Sequence, residues 1–399
     1  MSAWLVVIGI GEEGWSALSG AMQALIESAA LVVGGERHLA LIPKGRYETL
    51  AWKSPLADTL PAIARRRGQR VVVLASGDPF CYGVGAVLAR RFTRDEMIVL
   101  PAPSAFSLVA ARLLWPLEDC VCLSFHARPL ERLRLHLAPA ARIIALSNDG
   151  RTPGKVAQLL RESGWGDSQL MVFEHLGGPR EHRIEAIAAE WHTERVADLN
   201  TIALHCVVGP GAKPLSRCAG LPDDAFHHDG QITKHAVRAA TLAALAPLPG
   251  ELLWDIGAGC GSVTIEWLRA ARGMEAIAIE RDKARAALIA DNAAQLGVPD
   301  IEIVCGDAPG TLVGLPAPDA IFIGGGVSNA AIWDAVWQSL RPGGRIVANA
   351  VSLAGEAALF LRHETLGGEL SRIAVAQAEN HRFWRQSMQV TQLVVAKPR

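Results

Sequence analysis

The sequence predicts an α/β protein built from two layered domains. In both halves, apolar runs of strand length alternate with segments of helical periodicity, the pattern of sheets covered by helices. Several of these runs end directly in glycine-rich turns, as at residues 9–11 (Gly-Ile-Gly) and 257–259 (Gly-Ala-Gly). Residues 209–214 are rich in glycine and proline, the composition of a linker. We therefore expect one α/β domain on each side of that segment.

Composition excludes several classes of protein. The 399 residues suit two or three domains, and the net charge of −1, with no basic block longer than residues 65–67, argues against a nucleic-acid partner. The seven cysteines are scattered and form no Cys-x-x-Cys pair, which fits a reduced cytoplasm. No apolar run reaches the roughly 20 residues of a membrane span, and the start lacks the basic region of a signal peptide. We expect a cytoplasmic protein that binds neither membrane nor nucleic acid.

The first half contains a series of predicted strands and helices. Helices are predicted over 15–27 and 105–115, and apolar runs predict strands at 4–8, 31–33, 71–75, 99–100, 142–146, 169–173 and 201–207. The strand at 71–75 leads into Ser-Gly-Asp-Pro, and the strand at 99–100 leads into Pro-Ala-Pro-Ser. One such motif taken alone fits an ordinary turn after a strand as well as it fits a ligand-binding loop. Three in sequence, counting residues 9–11, favour a ligand site.

These residues resemble the tetrapyrrole methylase family over roughly positions 3 to 208. The motifs that carry the resemblance are VVIGIGEEGW at 6–15, VVVLASGDPFCYGVG at 71–85 and PAPSAFSLVAARL at 101–113. The resemblance implies two αβα subdomains with S-adenosylmethionine bound between them. It further implies that the cofactor is bound by Gly9, Gly11, Gly77, Asp78, Gly83, Ser104 and Ala105. Residues 12–15 (Glu-Glu-Gly-Trp) depart from the usual Gly-x-Gly-Pro-Gly-Asp opening and are similar to the branch that acts on C5 of corrin precursors.

The second half is organised around the run 252–256 and the glycines 257, 259 and 261. A strand, a glycine turn and a helix present backbone N–H groups to a ligand, and the spacing differs from the dinucleotide fingerprint. The second run, 276–279, ends at Glu280, where a carboxylate can accept both ribose hydroxyls of an adenosine. The third, 301–305, leads to Asp307, whose side chain can meet an adenine amino group. Further strands are predicted at 320–323, 345–351, 373–378 and 389–396.

The motifs DIGAGCG, AIAIE, GDA and RPGG, in that order, resemble the class I S-adenosylmethionine-dependent methyltransferases. The resemblance implies a Rossmann-like sheet in which the cofactor is bound by Gly257, Ala258, Gly259, Cys260, Gly261, Glu280, Asp307 and Ala308. A Rossmann-like domain that binds another adenosine compound is the alternative.

The segment ITKHAVRA, residues 232–239, is similar to the stretch that opens a corrin-pathway methyltransferase domain. In that family the threonine, here Thr233, contacts the cofactor. Lys234 and Arg238 are candidate substrate-binding cations, and a solvated helix face is the alternative for both. The preceding pair His227-His228 has no third ligand at suitable spacing, so we expect no metal site.

Two unlike methyltransferase halves in this order resemble the fused corrin-pathway enzymes of cobalamin biosynthesis. The resemblance implies C5 methylation by residues 1–208, a linker at 209–225, and C15 methylation with loss of CO2 from the C12 acetate by residues 226–399. It also implies a precorrin tetrapyrrole as substrate, S-adenosylmethionine as cofactor and a homo-oligomer. A cobalt-containing substrate, another small molecule and a non-catalytic S-adenosylmethionine sensor are the alternatives. No catalytic residue is identified, because an activated methyl donor mainly needs alignment.

The stretch NHRFWRQSM, residues 380–388, stands between two predicted strands and is unusually long and aromatic for a hairpin connection. Phe383 and Trp384 can stack on a flat macrocycle, and Arg382 and Arg385 can pair with its carboxylates. We therefore predict a loop that covers the tetrapyrrole, with both arginines as substrate-binding residues. The alternative is a loop whose aromatic side chains pack on its own domain or on a neighbouring subunit.

Overall fold

The computed structural model describes residues 3–379 and 382–399, and the chain divides into two compact units. The N-terminal unit comprises Met1–Leu130 and His136–Pro214, and the C-terminal unit comprises Glu131–Leu135 and Leu215–Arg399. The division falls inside the segment 209–225 expected as a linker, whose residues from 215 onwards belong to the C-terminal unit. Within the described ranges, no helix is both long enough and apolar enough to cross a lipid bilayer.

The N-terminal unit contains two five-stranded sheets. Its strands are β1 (Leu5–Ile10), β2 (Leu31–Gly34), β3 (Glu48–Ala51), β4 (Val71–Ser76), β5 (Met97–Leu100), β6 (Cys120–Ser124), β7 (Arg142–Leu146), β8 (Gln169–Glu174), β9 (His182–Ile187) and β10 (Asn200–His205). Its helices are α1 (Gly20–Glu27), α2 (Glu36–Ala40), α3 (Leu60–Ala64), α4 (Gly85–Ala89), α5 (Ala105–Leu113) and α6 (Thr152–Glu162). The first sheet, β3-β2-β4-β1-β5, is parallel throughout. In the second, β6-β7-β10-β8-β9, only the β6–β7 pair is parallel.

The central strands of the first sheet are buried on both faces, which is why β1 and β4 are continuous apolar runs. Their register pairs Gly9 with Ala75 and Ile10 with Ser76, so the two strands end side by side. The predicted helix from residue 15 is instead a 3-10 turn followed by α1. The hydroxyl of Ser19 accepts a hydrogen bond from the backbone N–H of Met22 at 3.3 Å and thereby starts α1.

The C-terminal unit contains a seven-stranded sheet covered by helices and a separate two-stranded hairpin. Its strands are β11 (Leu252–Ile256), β12 (Glu275–Glu280), β13 (Glu302–Cys305), β14 (Ala320–Ile323), β15 (Arg345–Ala350), β16 (Glu369–Ile373), β17 (Ala376–Glu379), β18 (Phe383–Gln386) and β19 (Val390–Ala396). Its helices are α7 (His235–Leu245), α8 (Ser262–Ala270), α9 (Lys283–Gln295), α10 (Ala330–Ser339) and α11 (Leu353–Leu366). The sheet order is β13-β12-β11-β14-β15-β19-β16, and β19 runs antiparallel to both of its neighbours. The order reverses at β11, which places a ligand-binding crevice at the carboxyl end of that strand.

Within the stretch 380–388, where the sequence predicts a loop, residues 383–386 form a strand. The predicted strand 373–378 is interrupted, and β17 pairs with β18 in a separate antiparallel hairpin that aligns Ala378 with Trp384. Aromatic residues favour strands, and this accounts for the extended conformation of Phe383 and Trp384. Asn380 and His381 lie outside the described residues.

Candidate functional site

A cavity of about 1300 Å³ lies in the C-terminal unit, at the carboxyl ends of β11, β12 and β14. Typical small-molecule sites occupy roughly 300–1,000 Å³, so this cavity has room for more than one ligand of ordinary size. Ten of the residues predicted from the sequence line it: Thr233, Lys234, Gly257, Ala258, Gly259, Cys260, Glu280, Asp307, Ala308 and Arg385.

The glycine loop, residues 257–261, has the backbone conformation that requires glycine. Gly257, Gly259 and Gly261 have φ values of +73°, +60° and +80°. A Cβ atom on Gly257 would lie 2.9 Å from the backbone nitrogen of Gly325, so the loop packs backbone against backbone there. Gly261 ends the loop as the residue before α8 and is not among the cavity-lining residues. Its predicted cofactor contact stays a prediction. A Cβ on Gly261 would lie 2.9 Å from Cγ2 of Ile289, so this glycine allows the loop to pack closely against α9.

Glu280 is held in one orientation by the loops on either side of it. It is the last residue of β12 and is only 5% exposed. Its Oε2 accepts a hydrogen bond from the N–H of Gly259 at 2.8 Å, and its Oε1 accepts one from the N–H of Asp282 at 3.0 Å. Each carboxylate oxygen has a further lone pair that can accept a hydroxyl hydrogen. The side chain thus fixes the glycine loop and can still bind a ligand hydroxyl.

Asp255, the acid that opens the glycine motif, is buried and is not among the residues that line the cavity. Its Oδ2 accepts a hydrogen bond from the hydroxyl of Thr264 at 2.5 Å, which ties β11 to α8. Its Oδ1 is buried without a hydrogen-bond partner. Burial raises the pKa of Asp255 to about 7, and the nearby charge of Glu280 acts in the same direction.

We expect Asp255 to give the protein a pH-dependent stability. An aspartate in an unfolded chain has a pKa of about 3.9, so the folded protein binds this proton more tightly than the unfolded chain does. The stabilisation is complete below about pH 4 and is lost, by a few kcal/mol, as the pH rises to about 7. Thermal unfolding of the wild type should therefore show Tm falling over this range relative to Asp255→Asn. Parallel curves for the two proteins would contradict the assignment.

Basic side chains form one part of the cavity wall, which also contains the carboxylates of Asp223, Glu280 and Asp307. Lys234, Arg281, Arg285 and Arg385 are among its lining residues. Arg285 pairs with Asp229 at 2.8 Å, whereas Arg385 lies 3.7 Å from Glu379 across the hairpin and is largely exposed. This wall can therefore attract a ligand that carries several carboxylates. Arg382 is exposed and is not among the lining residues, so the structure does not bring it to the cavity as predicted.

The prediction that Arg238 binds substrate is wrong, because this side chain is fully buried. Its Nε donates to Oε1 of Glu266 at 2.5 Å, and it also donates to Asp223 and to the carbonyls of Leu221 and Thr233. Its guanidinium lies 4.8 Å above the ring of Phe226. Arg238 lies on α7, which packs against α8, and α8 carries its partner Glu266. The sequence around Arg238 does not reveal this partner. Arg238 holds the chain around Thr233 in place.

In the N-terminal unit, three strand ends meet through backbone atoms alone. A Cβ atom on Gly9 would lie 1.9 Å from the carbonyl oxygen of Gly77 and 2.5 Å from the nitrogen of Ala102. The N–H of Ala102 donates to the carbonyl of Gly77 at 3.2 Å, and Gly77 has φ of +53°. The ends of β1 and β4 and the start of the segment after β5 thus pack backbone against backbone, and we call this contact the backbone floor. No side chain fits at Gly9, so the loops that carry the predicted residues are held close together there.

The other predicted residues of the N-terminal unit lie after β1, after β4 and at the start of α5. Oδ1 of Asp78 accepts the N–H of Phe80 at 2.8 Å, and a Cβ on Gly83 would lie 2.5 Å from the carbonyl of Pro79. The hydroxyl of Ser104 caps α5 by accepting the N–H of Ser107 at 3.1 Å, and Ala105 is the first residue of that helix. A Cβ on Gly11 would lie 2.4 Å from Oε2 of Glu13. Their cofactor contacts stay predictions.

Several cavity residues escaped the sequence prediction. They are Gln231, Arg281, Asn349, Gln377, Gln386 and Ser387. Arg281 follows Glu280 directly, so the end of a strand was a usable signal for it. Asn349 lies inside an apolar strand and Gln377 lies in a mostly exposed strand, so nothing local marks these two. Gln386 and Ser387 lie inside the stretch 380–388 that was predicted to cover the tetrapyrrole, although neither was named as a site residue. Among the residues described, no group of three or more His, Cys, Asp or Glu side chains is arranged to hold a metal ion.

Comparison with known proteins gives a consistent result for both halves. The family model described as tetrapyrrole (corrin/porphyrin) methylases matches residues 4–190, and that described as precorrin methyltransferase domain matches residues 224–397. A Sinorhizobium sp protein named precorrin-6Y C(5,15)-methyltransferase (decarboxylating) is 49% identical over 396 residues, which cover 98% of this chain and 96% of that protein. The chain belongs to this family.

Other members of the precorrin-6Y C(5,15)-methyltransferase family are also similar. The protein of that name from Mycobacterium tuberculosis (strain CDC 1551 / Oshkosh) is 40% identical over 401 residues, covering 98% of this chain and 100% of that protein. The crystal structure of the C-terminal domain of the Rhodobacter capsulatus member is 49% identical and covers 46% of this chain and 100% of that chain, with a TM-score of 0.43. Methyltransferases of this type use S-adenosylmethionine as the methyl donor.

Proposed function

We propose that this chain methylates C5 and C15 of precorrin-6B (precorrin-6Y) and removes CO2 from its C12 acetate, giving precorrin-8X in cobalamin biosynthesis. The observation that carries this proposal is the match to decarboxylating precorrin-6Y C(5,15)-methyltransferases over 98% of the chain. Each methylation breaks the S–CH3 bond of S-adenosylmethionine, forms one C–CH3 bond, leaves S-adenosylhomocysteine and releases one proton from the methylated carbon. Decarboxylation breaks one C–C bond, and a proton takes the place of CO2 on the side-chain carbon. The chain is thus a bifunctional methyltransferase.

The two activities are assigned to different halves. The N-terminal domain, residues 1–208, methylates C5, and the C-terminal domain, residues 226–399, methylates C15 and decarboxylates. Support comes from two unrelated glycine systems, one at the ends of β1 and β4 and the other after β11. We further propose a cytoplasmic homo-oligomer. The free cysteines and the exposed apolar side chains Leu353 and Leu361 of α11 support that proposal.

In the C-terminal domain, the cavity residues fit S-adenosylmethionine. Glu280 accepts the ribose hydroxyls, Asp307 and Ala308 meet the adenine, and the backbone of residues 257–260, with Thr233, faces the rest of the cofactor. The buried, oriented carboxylate of Glu280 beside a loop of positive-φ glycines is the observation that supports this fit. When bound, the cofactor supplies an activated methyl group on sulfur. The protein contributes alignment and exclusion of water.

In the N-terminal domain, Gly9, Gly11, Gly77, Asp78, Gly83, Ser104 and Ala105 hold a second S-adenosylmethionine. The close backbone contacts of Gly9 with Gly77 and Ala102 support this assignment, because they bring together the loops after β1, β4 and β5 that carry these residues.

We assign the carboxylates of the tetrapyrrole in the C-terminal domain to Lys234 and Arg385. Arg385→Ala should raise KM for precorrin in CO2 release by about tenfold, since a charge-assisted hydrogen bond contributes ~1.5–3 kcal/mol. The KM for S-adenosylmethionine should stay the same. Arg382→Ala is the matched control, because it removes an exposed arginine of the same hairpin that does not line the cavity. Equal KM values for precorrin in both variants and the wild type would return the hairpin to a structural role.

The function itself is tested by incubating the purified full-length chain with precorrin-6B and labelled S-adenosylmethionine. We expect a product with two labelled methyl groups and release of one CO2 per molecule. If the chain turned over only the cobalt-containing counterpart of precorrin-6B, that compound and not the metal-free one would be the substrate. Methylation without CO2 release, or cofactor binding without any turnover, would contradict the proposal.

A further inference from the structure

The wall of the C-terminal cavity that faces the glycine loop has no helix or strand of its own. It is formed by residues 227–234, which we call the flap, and Gln231, Thr233 and Lys234 of the flap line the cavity. The carbonyl oxygen of Gln231 would lie 4.0 Å from a Cβ placed on Gly259, so the flap passes close to the glycine loop. A segment without regular secondary structure depends on side-chain contacts for its position.

Asn292, in the last turn of α9, supplies such contacts. It is fully buried, and a buried polar side chain is unfavourable unless it is hydrogen-bonded. Its Oδ1 accepts the N–H of His227 at 2.8 Å, and its Nδ2 donates to the carbonyl of His227 at 2.9 Å. The same Nδ2 donates to the carbonyl of Cys260 at 2.9 Å. One amide group therefore binds the start of the flap and the glycine loop at once.

Two other contacts hold the flap without reaching the glycine loop. Arg285 pairs with Asp229 at 2.8 Å, and Arg238 donates to the carbonyl of Thr233. Because Asn292 alone of these three residues also binds Cys260, we infer that Asn292 is a positioning residue that couples the flap to the glycine loop. The flap and the glycine loop, which are two walls of the cavity, then take up their positions together. This inference rests on the proposed function only for its kinetic consequence.

Asn292→Asp tests the coupling with almost no change of shape. The carboxylate keeps the acceptor for His227 but loses both donated hydrogen bonds and faces two carbonyl oxygens instead. The two carbonyl oxygens that lose their donor are then buried without a hydrogen bond, which destabilises the position of the flap. Amide hydrogen exchange in residues 228–234, measured on the full-length chain without cofactor, should accelerate by about tenfold or more. The KM for S-adenosylmethionine in CO2 release should rise by about tenfold, with kcat within about twofold and C5 methylation unchanged.

The matched control is Asn200→Asp, the same change at a buried, hydrogen-bonded asparagine of the N-terminal unit. Nδ2 of Asn200 donates to the carbonyl of Ala197 at 2.8 Å, and its Oδ1 accepts from Ser147 at 2.5 Å. This variant should lower Tm without altering amide exchange in the flap or the KM for S-adenosylmethionine in CO2 release.

If Asn292→Asp behaves in the same way as this control, the inference is overturned. If Asn292→Asp does not fold, Asn292→Ser is measured instead, and wild-type exchange in its flap would overturn the inference too. Absence of CO2 release by the wild type would instead refute the proposed function, and exchange would still test the coupling.

Discussion

Glu280→Ala is expected to abolish C15 methylation and decarboxylation and to leave C5 methylation intact. The carboxylate accepts hydrogen bonds from Gly259 and Asp282 and is proposed to accept the ribose hydroxyls of the cofactor. Charge-assisted hydrogen bonds contribute ~1.5–3 kcal/mol each, so losing two to the ligand should weaken cofactor affinity about a hundredfold or more. The glycine loop would also lose the contact that fixes Gly259.

This prediction is checked by calorimetry with S-adenosylmethionine and by following CO2 release and methyl incorporation in the same sample. Glu275→Ala is the control, because Glu275 begins the same strand at its exposed end. Normal CO2 release by Glu280→Ala would exclude the assignment. Loss of both methylations would point to misfolding or to coupling between the halves.

Gly9→Val is expected to have the complementary effect, loss of C5 methylation with C15 methylation and CO2 release retained. A Cβ at this position would lie 1.9 Å from the carbonyl oxygen of Gly77, and both that atom and the nitrogen of Ala102 belong to the backbone. Backbone atoms at the ends of paired strands move little, so the added side chain must distort the proposed cofactor floor.

The measurement for Gly9→Val is the position of the single labelled methyl group in the product. Gly20→Ala is the control, since a Cβ on Gly20 would meet nothing within 4 Å. Wild-type C5 methylation in the valine variant would show that the backbone floor is not the cofactor site.

Much of the fold was predictable because buried parallel strands are continuous apolar runs. The runs 142–146, 252–256 and 320–323 are β7, β11 and β14 with the predicted bounds. Strands β3 and β9 were missed because their residues are mostly exposed or half-exposed and show no apolar run. The hairpin β17–β18 was missed for the same reason, since most of its residues face solvent.

The candidate site was predictable where its residues form contiguous motifs, as at 257–260 and at Glu280. It was not predictable where a side chain acts through partners distant in sequence. Arg238 looked like a free cation because no residue near it in the sequence indicates a partner. Its partner is Glu266, which lies on α8 and forms an ion pair with it. Asn292 gave no signal, because its partners are backbone atoms of His227 and Cys260, and any residue type supplies those atoms.

The central claim is that one chain holds two methyltransferase sites, one in each half, with different target carbons. The most direct measurement places the methyl groups of carbon-labelled S-adenosylmethionine in the products of the wild type, Glu280→Ala and Gly9→Val by nuclear magnetic resonance. We predict label at C5 and C15 for the wild type, at C5 alone for Glu280→Ala, and at C15 alone, with loss of CO2, for Gly9→Val. Loss of the same methyl group from both variants, with both proteins folded, would contradict the claim.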